Sequence, residues 1–146
     1  MNDKLLALRE IDFQITGTII HGKKLGRQLG YPTANLECPA GKALPQNGVY
    51  IAVIDFLTGN YAGESFPCVL NQGLQPTAPS GAVTVEAHIP DFSGDLYGAQ
   101  ARVTYLRFIR PETRFASLDE LKAQLLLDTQ AACGFFAENH PEGARQ

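Results

Sequence analysis

The chain has few of the residues that build disulfide-rich or zinc-stabilised domains. Its 146 residues include no tryptophan, one methionine, three cysteines and three histidines. The cysteines lie far apart and form no CxxC pair, so they fit neither a disulfide framework nor a zinc-binding pattern. With so few histidines, we do not expect a structural zinc site either. The cysteines, which we expect to be reduced thiols, are Cys38, Cys68 and Cys133.

The chain also lacks a strong excess of charge and a long apolar run. Its formal net charge is -3, which argues against a broad nucleic-acid-binding surface. No apolar segment approaches the length of a membrane span, and the N-terminal sequence MNDKLLALREID has no apolar signal core. We therefore expect a cytoplasmic protein without nucleic-acid or membrane partners.

The length predicts a single domain over residues 1–146. A chain of this size can bury a real core but is too short for two typical domains. Residues 1–12 are expected to form a lead-in segment, with a helical turn over residues 4–11. Residues 138–146 are polar and are expected to form a loose tail.

Apolar patterns predict five or six strands. Residues 13–19 and 82–89 alternate apolar and polar side chains, as strands with one buried face do. Residues 48–56 are apolar on both faces, which is typical of a central or barrel-forming strand. Further strands are predicted over residues 60–64, 66–70 and 100–109, with a hairpin turn at 57–60 and irregular polar loops at 37–47 and 71–81.

One helix is predicted, close to the C-terminal end. Ser117 and Glu120 fit a capping box, with Ser117 as the N-cap, and the helix is expected to end near Gly134. Its apolar stripe consists of Leu118, Leu121 and Leu125. Because no helix separates the strands, they must pair antiparallel. The prediction is a mainly β protein, a small closed or nearly closed antiparallel barrel with the C-terminal helix packed on it.

Residues 17–36 are the candidate phosphate-binding segment, and their composition predicts a loop. Glycines recur at positions 17, 22, 26 and 30, around the basic residues Lys23, Lys24 and Arg27. Amides in a glycine-spaced loop can approach an anion closely. The segment has neither a Walker A motif nor a Rossmann fingerprint. Its spacing alone leaves open a phosphate-binding loop and an ordinary hairpin loop with solubilising lysines.

Thr33, Asn35 and Glu86 are the candidate site residues, each with a structural alternative. Thr33 and Asn35 offer hard oxygen donors for Mg²⁺, but such residues also often satisfy the amides of turns. Glu86 lies on the polar face of its strand, between Thr84 and His88. On a face covered by loops it suits a general base, whereas on an open face it is a solvated side chain.

The helix entrance offers weaker candidates. Arg110 and Arg114 bracket a Pro-Glu pair, which is ordinary chemistry for a surface segment that leads into a helix. Phe115 precedes the helix, where a hydrophobic staple or a core residue is the simpler interpretation than a ligand platform.

Taken together, these residues resemble the signature of the riboflavin kinase (flavokinase) family. The similarity spans roughly Ile15 to Asp128, with the elements in the family's order. Its most specific elements are the tetrad Pro32-Thr33-Ala34-Asn35 and the later segments Val85–Ile89 and Tyr97-Gly98. The remaining matches are Gly22, Leu25-Gly26-Arg27, Leu29-Gly30-Tyr31, Leu36, Gly48-Val49-Tyr50, Asn71 and Gly73, Pro76-Thr77, Asp91-Phe92, Leu96, Arg110-Pro111-Glu112, Phe115 and Ser117-Leu118.

The resemblance implies a fold and an activity. Members of this family fold as a six-stranded antiparallel barrel, Greek-key-like, with a C-terminal helix. They transfer the γ-phosphoryl group of ATP to the 5′-hydroxyl of riboflavin with Mg²⁺, giving FMN and ADP. The implied substrates are therefore ATP and riboflavin, and the implied metal is Mg²⁺.

The resemblance also implies a role for each matching residue. Glu86 would be the catalytic base, and Thr33 and Asn35 would hold Mg²⁺. The residues near ATP would be Gly22, Arg27, Thr33, Ile89, Asp91 and Tyr97. The residues at the flavin end would be Arg110, Thr113 and Phe115.

The chain departs from the family's pattern in two respects. Many bacterial members are the C-terminal half of a longer protein whose first half is an FAD synthetase with an HxGH-type motif, and this chain has no such motif. It is therefore expected to be either one domain of such a protein or a free-standing kinase. Gln75 stands where the family often has arginine, so contacts there differ.

Two other functions remain as alternatives to the kinase. The first is a non-catalytic flavin- or nucleotide-binding barrel, such as a sensor or a degenerate paralogue. The presence of Thr33, Asn35 and Glu86 together argues against it, since binding alone does not need all three. The second is an RNA-binding barrel, which the net charge and the lack of an aromatic and basic strand face disfavour.

Overall fold

The structure is a computed structural model that describes residues 10–11, 13–20, 33–37, 43–74, 83–90, 92, 94–113 and 115–138. The predicted helical turn at 4–11 lies outside this part except for Glu10 and Ile11, which form a bend. The tail beyond Glu138 also lies outside it. The elements are β1 (Phe13–Ile20), β2 (Thr33–Glu37), β3 (Gly48–Phe56), β4 (Ser65–Leu74), β5 (Val83–His88), β6 (Gln100–Arg110) and α1 (Leu118–Glu138).

The six strands close into an antiparallel barrel, which confirms the predicted architecture. Their order around the barrel is β1-β2-β5-β4-β3-β6, and the pairing of β6 with β1 completes the ring. Strands β3, β4 and β5 are consecutive neighbours, and β6 returns to pair with β3. This arrangement is a Greek key. Strand β2 lies against β5 although it is distant from β5 in the chain.

The barrel has an apolar interior and a second apolar layer on its outer side. The interior is filled by side chains from all six strands, including Ile54, Leu70 and Tyr105. Alternate residues of β3 point outward and pack with the helix residues Phe135 and Phe136. Strand β3 is therefore buried along its whole length, which explains its continuous apolar sequence.

A buried polar network joins the barrel interior to the segment before β3. Gln72 is fully buried, and its amide nitrogen donates to the Pro45 carbonyl at 2.6 Å and to Asn47 Oδ1 at 3.0 Å. The Tyr105 hydroxyl donates to Gln72 Oε1 at 2.8 Å. Because buried amides require partners, this network fixes Gln72 inward and its neighbour Asn71 outward.

Helix α1 starts as predicted but extends further than predicted. The Glu120 amide donates to Ser117 Oγ at 3.2 Å, and the Glu120 carboxylate accepts from the Ala116 amide at 3.1 Å. The predicted end near Gly134 is wrong, because the buried residues Phe135 and Phe136 hold the next turn against the barrel. Leu118, predicted to lie on the apolar stripe, is 53% exposed.

One predicted strand does not form, and two predicted loops are partly strand. Residues 60–63 form a turn, Gly59 before it and Gly63 within it have positive φ angles, and β4 begins only at Ser65. Strand β4 continues to Leu74 and takes in the first residues of the predicted loop 71–81. The strand predicted over residues 13–19 is confirmed as β1, which ends at Ile20, and residues 33–36 belong to β2, so residues 17–36 are not a loop throughout.

The ends of this glycine-containing segment are strands because they pair with each other and with β5, which is distant in the chain. Thr18, Ile19 and Ile20 pair with Glu37, Leu36 and Asn35, and β2 pairs on its other side with β5. Ala34 and Leu36 are buried in the barrel interior. The central part of the glycine segment, 21–32, lies outside the described residues. Within the described part of the chain, no helix is long and apolar enough to cross a membrane.

Candidate functional site

Glu86 lies on the outer face of β5, between two asparagines on the neighbouring strands. Its chain neighbours Val85 and Ala87 point into the barrel, so Glu86 points outward. In the strand register, Glu86 is directly opposite Asn35 of β2 and directly opposite Asn71 of β4. Residues that are directly opposite in antiparallel strands share a face. The carboxylate is therefore flanked by an amide side chain on each side.

This polar face of β5 borders a cavity between the barrel and the start of helix α1. The cavity volume is about 80 Å³, whereas pockets that enclose a whole drug-sized ligand exceed ~300 Å³. It can therefore take only part of such a ligand. The cavity is lined by Val49, Val69, Asn71, Glu86, His88, Arg110, Glu112, Thr113, Phe115, Leu121, Leu125 and Asp128.

The cavity brings Glu86 together with all three residues that the resemblance assigns to the flavin end. Arg110 ends β6, and Thr113 and Phe115 lie in the segment that leads to α1. The Arg110 guanidinium donates from Nη1 to Thr113 Oγ1 at 3.3 Å, and its Cζ lies 5.8 Å from the centre of the Phe115 ring. Glu86, the candidate proton acceptor, and the segment that enters the helix therefore line the same cavity.

A buried ion pair anchors this side of the cavity to the helix. Arg110 Nε donates to Asp128 Oδ1 at 3.1 Å, and Nη2 donates to Asp128 Oδ2 at 2.8 Å. The Asp128 side chain is 2% exposed and that of Arg110 is 17% exposed. A bidentate contact of this kind fixes the plane of the guanidinium as well as its position.

The residues proposed to hold a metal offer neutral oxygen donors. Asn35 is 8% exposed and lies beside the Glu86 carboxylate, and the backbone of Thr33 pairs with that of His88. The described residues contain no group of three or more His, Cys, Asp or Glu that could hold a metal ion. An amide and a hydroxyl are hard ligands that suit Mg²⁺, but without charge they bind the free ion weakly. This donor set fits a metal that arrives with phosphate groups.

Two further predicted residues lie away from the cavity. Ile89 is 4% exposed and packs inside the barrel. Tyr97 is exposed and lines a second cavity with Phe56, Tyr61 and Asp95, near the turn that joins β3 and β4. Gly22, Arg27 and Asp91 lie outside the described residues, as does Gln75.

Several cavity residues were not predicted as site residues. His88 lies two positions after Glu86 on the same strand, so the period of two alone puts both on one face. Asn71 is identified only by the strand pairing. Asp128 follows Leu121 and Leu125 at helical spacing, and a carboxylate on an apolar stripe is a signal of a buried partner.

Comparison with known proteins gives the following matches. A family model described as riboflavin kinase (flavokinase) matches residues 10–136. A relative from Pseudomonas fluorescens, named bifunctional riboflavin kinase/FMN adenylyltransferase, is 42% identical over 121 residues. The match covers 82% of this chain but only 37% of that relative, so the chain spans well under half of its length.

Two solved structures are similar in fold. The crystal structure of a protein described as a macrolide-efflux protein from Streptococcus pneumoniae gives a TM-score of 0.73 at 27% identity, covering 89% of this chain and 45% of that one. The crystal structure of riboflavin kinase from Trypanosoma brucei gives a TM-score of 0.61 at 23% identity, covering 87% of this chain and 82% of that one. At these identities the similarity of the second structure concerns the fold alone.

Proposed function

The chain belongs to the riboflavin kinase family, and from this premise we propose that it phosphorylates riboflavin with ATP. The 5′-hydroxyl oxygen of riboflavin forms a bond to the γ-phosphorus, and the bond from that phosphorus to the β,γ-bridging oxygen breaks. ADP leaves with the bridging oxygen, and the hydroxyl proton passes to a base. The products are FMN and ADP.

One observation carries this proposal most directly. Glu86 is the carboxylate at the centre of three paired strands, and it borders the cavity that Arg110, Thr113 and Phe115 line from the other side. This arrangement offers a proton acceptor for a hydroxyl and a separate surface for the rest of the substrate. At about 80 Å³ the cavity can take only part of riboflavin, and its helix-entrance side would face the flavin.

In this mechanism Glu86 aligns the hydroxyl group and accepts its proton late in the transfer. Phosphoryl transfer needs mainly positioning and neutralisation of charge, with little covalent chemistry from the protein. Asn35 and Asn71 are directly opposite Glu86 on the neighbouring strands and would help to orient its carboxylate. Thr33 and Asn35 would hold Mg²⁺, which when bound neutralises charge on the phosphates. Because both ligands are uncharged, metal and ATP are expected to bind together.

The nucleotide and flavin contacts are part of the same proposal. Gly22 and Arg27 would lie along the phosphates, together with Thr33. Ile89, Asp91 and Tyr97 would lie near the nucleotide, although the side chain of Ile89 is buried in the barrel and would act through its backbone or through packing. Arg110, Thr113 and Phe115 would contact the flavin or support the residues that do.

We also propose a wider context for the chain. The Pseudomonas fluorescens relative is named as bifunctional and is much longer than this chain. An FMN adenylyltransferase (FAD synthetase) domain is therefore a candidate partner, either within one longer protein or as a separate enzyme that consumes FMN. A cytoplasmic location suits the supply of ATP and is part of this proposal.

The proposed function is tested by product formation. The protein is incubated with riboflavin, ATP and Mg²⁺, and FMN is separated from riboflavin by chromatography and detected by its fluorescence. We expect FMN and ADP in equal amounts, and no FMN when ATP is omitted. Riboflavin that binds but yields no FMN would support instead the non-catalytic flavin-binding barrel.

A further inference from the structure

Arg110 uses nearly all of its hydrogen-bonding capacity on the protein itself. Nε and Nη2 donate to the two oxygens of Asp128, at 3.1 Å and 2.8 Å. Nη1 donates to the Pro111 carbonyl and to Thr113 Oγ1, both at 3.3 Å. A guanidinium carries five N–H groups, so these four contacts leave one, on Nη2. A residue committed in this way can give a ligand at most one hydrogen bond.

Asp128 is itself held in place by its own helix. Gln124 lies one helical turn earlier, and its amide nitrogen donates to Asp128 Oδ1 at 2.9 Å. The Asp128 carboxylate therefore accepts three hydrogen bonds, two from Arg110 and one from Gln124. Because the side chain is 2% exposed, water cannot replace these donors. The helix thus presents a fixed acceptor to the end of β6.

The contacts of Arg110 connect this fixed acceptor to the segment that enters the helix. Its Nη1 holds Pro111 and Thr113, and its guanidinium lies over the Phe115 ring. Thr113, Phe115 and Asp128 line the same cavity as Glu86. The orientation of this side of the cavity relative to Glu86 therefore depends on where Asp128 holds the guanidinium.

We propose that Asp128 is a positioning residue for riboflavin: it acts through Arg110 to fix residues 111–113 and Phe115 as the surface that receives the flavin opposite Glu86. Gln124 supports it by fixing the carboxylate. This inference rests on the proposed kinase function, and it assigns Arg110 mainly to shaping the flavin surface. The ATP side of the site does not depend on this ion pair.

The proposal is tested by Asp128→Asn, which removes the charge of the carboxylate with little change in the shape of the side chain. In Asp128→Asn the amide nitrogen is a donor, so it cannot accept one of the two bonds of the guanidinium. The matched control is Glu10→Gln, because Glu10 receives both Nε and Nη2 of Arg107 on the exposed side of β6, away from the cavity. Steady-state kinetics with each substrate, and riboflavin affinity from quenching of its fluorescence, are measured for both variants.

We expect Asp128→Asn to raise the KM and the Kd for riboflavin about tenfold, since the partner of a buried charge is lost. The KM for ATP and the kcat at saturating riboflavin should stay within about threefold of the wild-type values, because the Glu86 side is unchanged. Glu10→Gln should change none of these constants. A split of this kind separates positioning from a general loss of folded protein, which lowers the apparent kcat alone.

The proposal is overturned if Asp128→Asn behaves as Glu10→Gln does, or if its kcat falls while the KM for riboflavin is unchanged. If Asp128→Asn does not fold, Gln124→Leu keeps the ion pair and removes one hydrogen bond, and the KM for riboflavin should then rise about threefold to fivefold. No rise in this variant overturns the proposal as well. Wild-type protein that binds riboflavin without forming FMN contradicts the proposed function only, because the comparison of Kd values still decides the role of Asp128.

Discussion

At the scale of single residues, the proposed chemistry involves one carboxylate and the two amide side chains beside it. Glu86 has Asn35 directly opposite on one strand and Asn71 directly opposite on the other. Both neighbours are uncharged, so in the proposed mechanism the negative charge of the nucleotide would be balanced by the metal and by basic residues. A second carboxylate at either position would change that balance.

Asn35→Asp tests the proposed metal position. The variant places a second carboxylate opposite Glu86, and like charges directly opposite each other destabilise a strand pair. Without Mg²⁺ we expect the Tm to fall by about 2–4 °C. With Mg²⁺ the Tm of the variant should rise more than that of the wild type, because on this side the two carboxylates would lie on the same face as Thr33, the other residue proposed to hold the ion.

Asn71→Asp is the matched control, because Asn71 is opposite Glu86 on the other side. Thermal unfolding followed by circular dichroism, with and without Mg²⁺, measures both variants. If Mg²⁺ stabilises Asn71→Asp as strongly as Asn35→Asp, the assignment of the metal to the Asn35 side is wrong.

The two described cysteines should differ sharply in reactivity. Cys68 is completely buried in the barrel, and burial, with a smaller effect of the nearby Asp55 carboxylate, raises the pKa of its thiol far above the ordinary value. Cys133 is exposed on the helix. Because the thiolate is the reactive form, iodoacetamide should label Cys133 in the folded protein and leave Cys68 unlabelled, as read by mass spectrometry of peptides.

The same pKa shift predicts the effect of alkaline pH on stability. When the chain unfolds, the pKa of Cys68 returns towards 9.0, so above that pH the unfolded chain loses a proton that the folded chain keeps. The contribution of the Cys68 thiol to the free energy of unfolding is therefore fully present below pH 9, and it is lost progressively as the pH rises further. Labelling of Cys68 at a rate equal to that of Cys133 in folded protein would contradict this account.

At the scale of elements, the fold depends on how closely β1 approaches β2 and on how far α1 extends along the barrel. A Cβ at Gly17 would lie 2.1 Å from the backbone oxygen of Glu37, so only glycine fits where β1 meets β2. A Cβ at Gly134 would have no atom within 4 Å. The close approach of β2 therefore requires glycine at position 17, whereas no neighbouring atom requires glycine at position 134.

These two glycines predict opposite effects of the same substitution. Gly134→Ala should raise the free energy of unfolding by ~1 kcal/mol, because alanine is the better residue in a helix interior. Gly17→Ala should lower it by ~1–3 kcal/mol, because the backbone of β2 must move away. Urea unfolding monitored by circular dichroism measures both, and a loss of stability in Gly134→Ala would show that the helix does not continue past residue 134.

At the scale of the whole molecule, the Greek key explains why the site is assembled from distant parts of the chain. It places β2 beside β5, and it brings the end of β6 and the start of α1 to the outer face of β5. Glu86 and Arg110 thus line one cavity, and Asn35 is opposite Glu86 on the neighbouring strand, although each of the three comes from a different third of the chain. The helix then closes that cavity from outside.

The strands with a clear pattern could be predicted from the sequence, and their order around the barrel could not. Val83–His88 and Gln100–Arg110 alternate or remain apolar over enough residues to identify them. Residues 60–64 have no such pattern. They do not form a strand, because Gly59 and Gly63 have positive φ angles and the chain turns there. Strand β2 is short and follows a glycine-rich segment, so only its pairing with β1 and β5 identifies it as a strand.

The sequence likewise predicted some residues of the candidate site and missed others. Alternation along β5 put Glu86 and His88 on one face, but a period of two does not reveal what covers that face. The resemblance named Arg110, Thr113 and Phe115, and the structure puts them on the same cavity. The helical spacing of Asp128 after Leu121 and Leu125 indicates a buried carboxylate, but only the structure identifies Arg110, at the end of β6, as its partner.

In the proposed mechanism Glu86 accepts the proton of the hydroxyl that is phosphorylated. The most direct measurement compares the kcat of FMN formation by the wild type and by Glu86→Gln, at saturating riboflavin, ATP and Mg²⁺. General-base catalysis contributes typically 10²–10⁴-fold, so we expect kcat to fall by about that factor while ATP binding remains nearly intact. A Glu86→Gln variant that turns over at the wild-type rate would remove Glu86 from the mechanism and contradict the account.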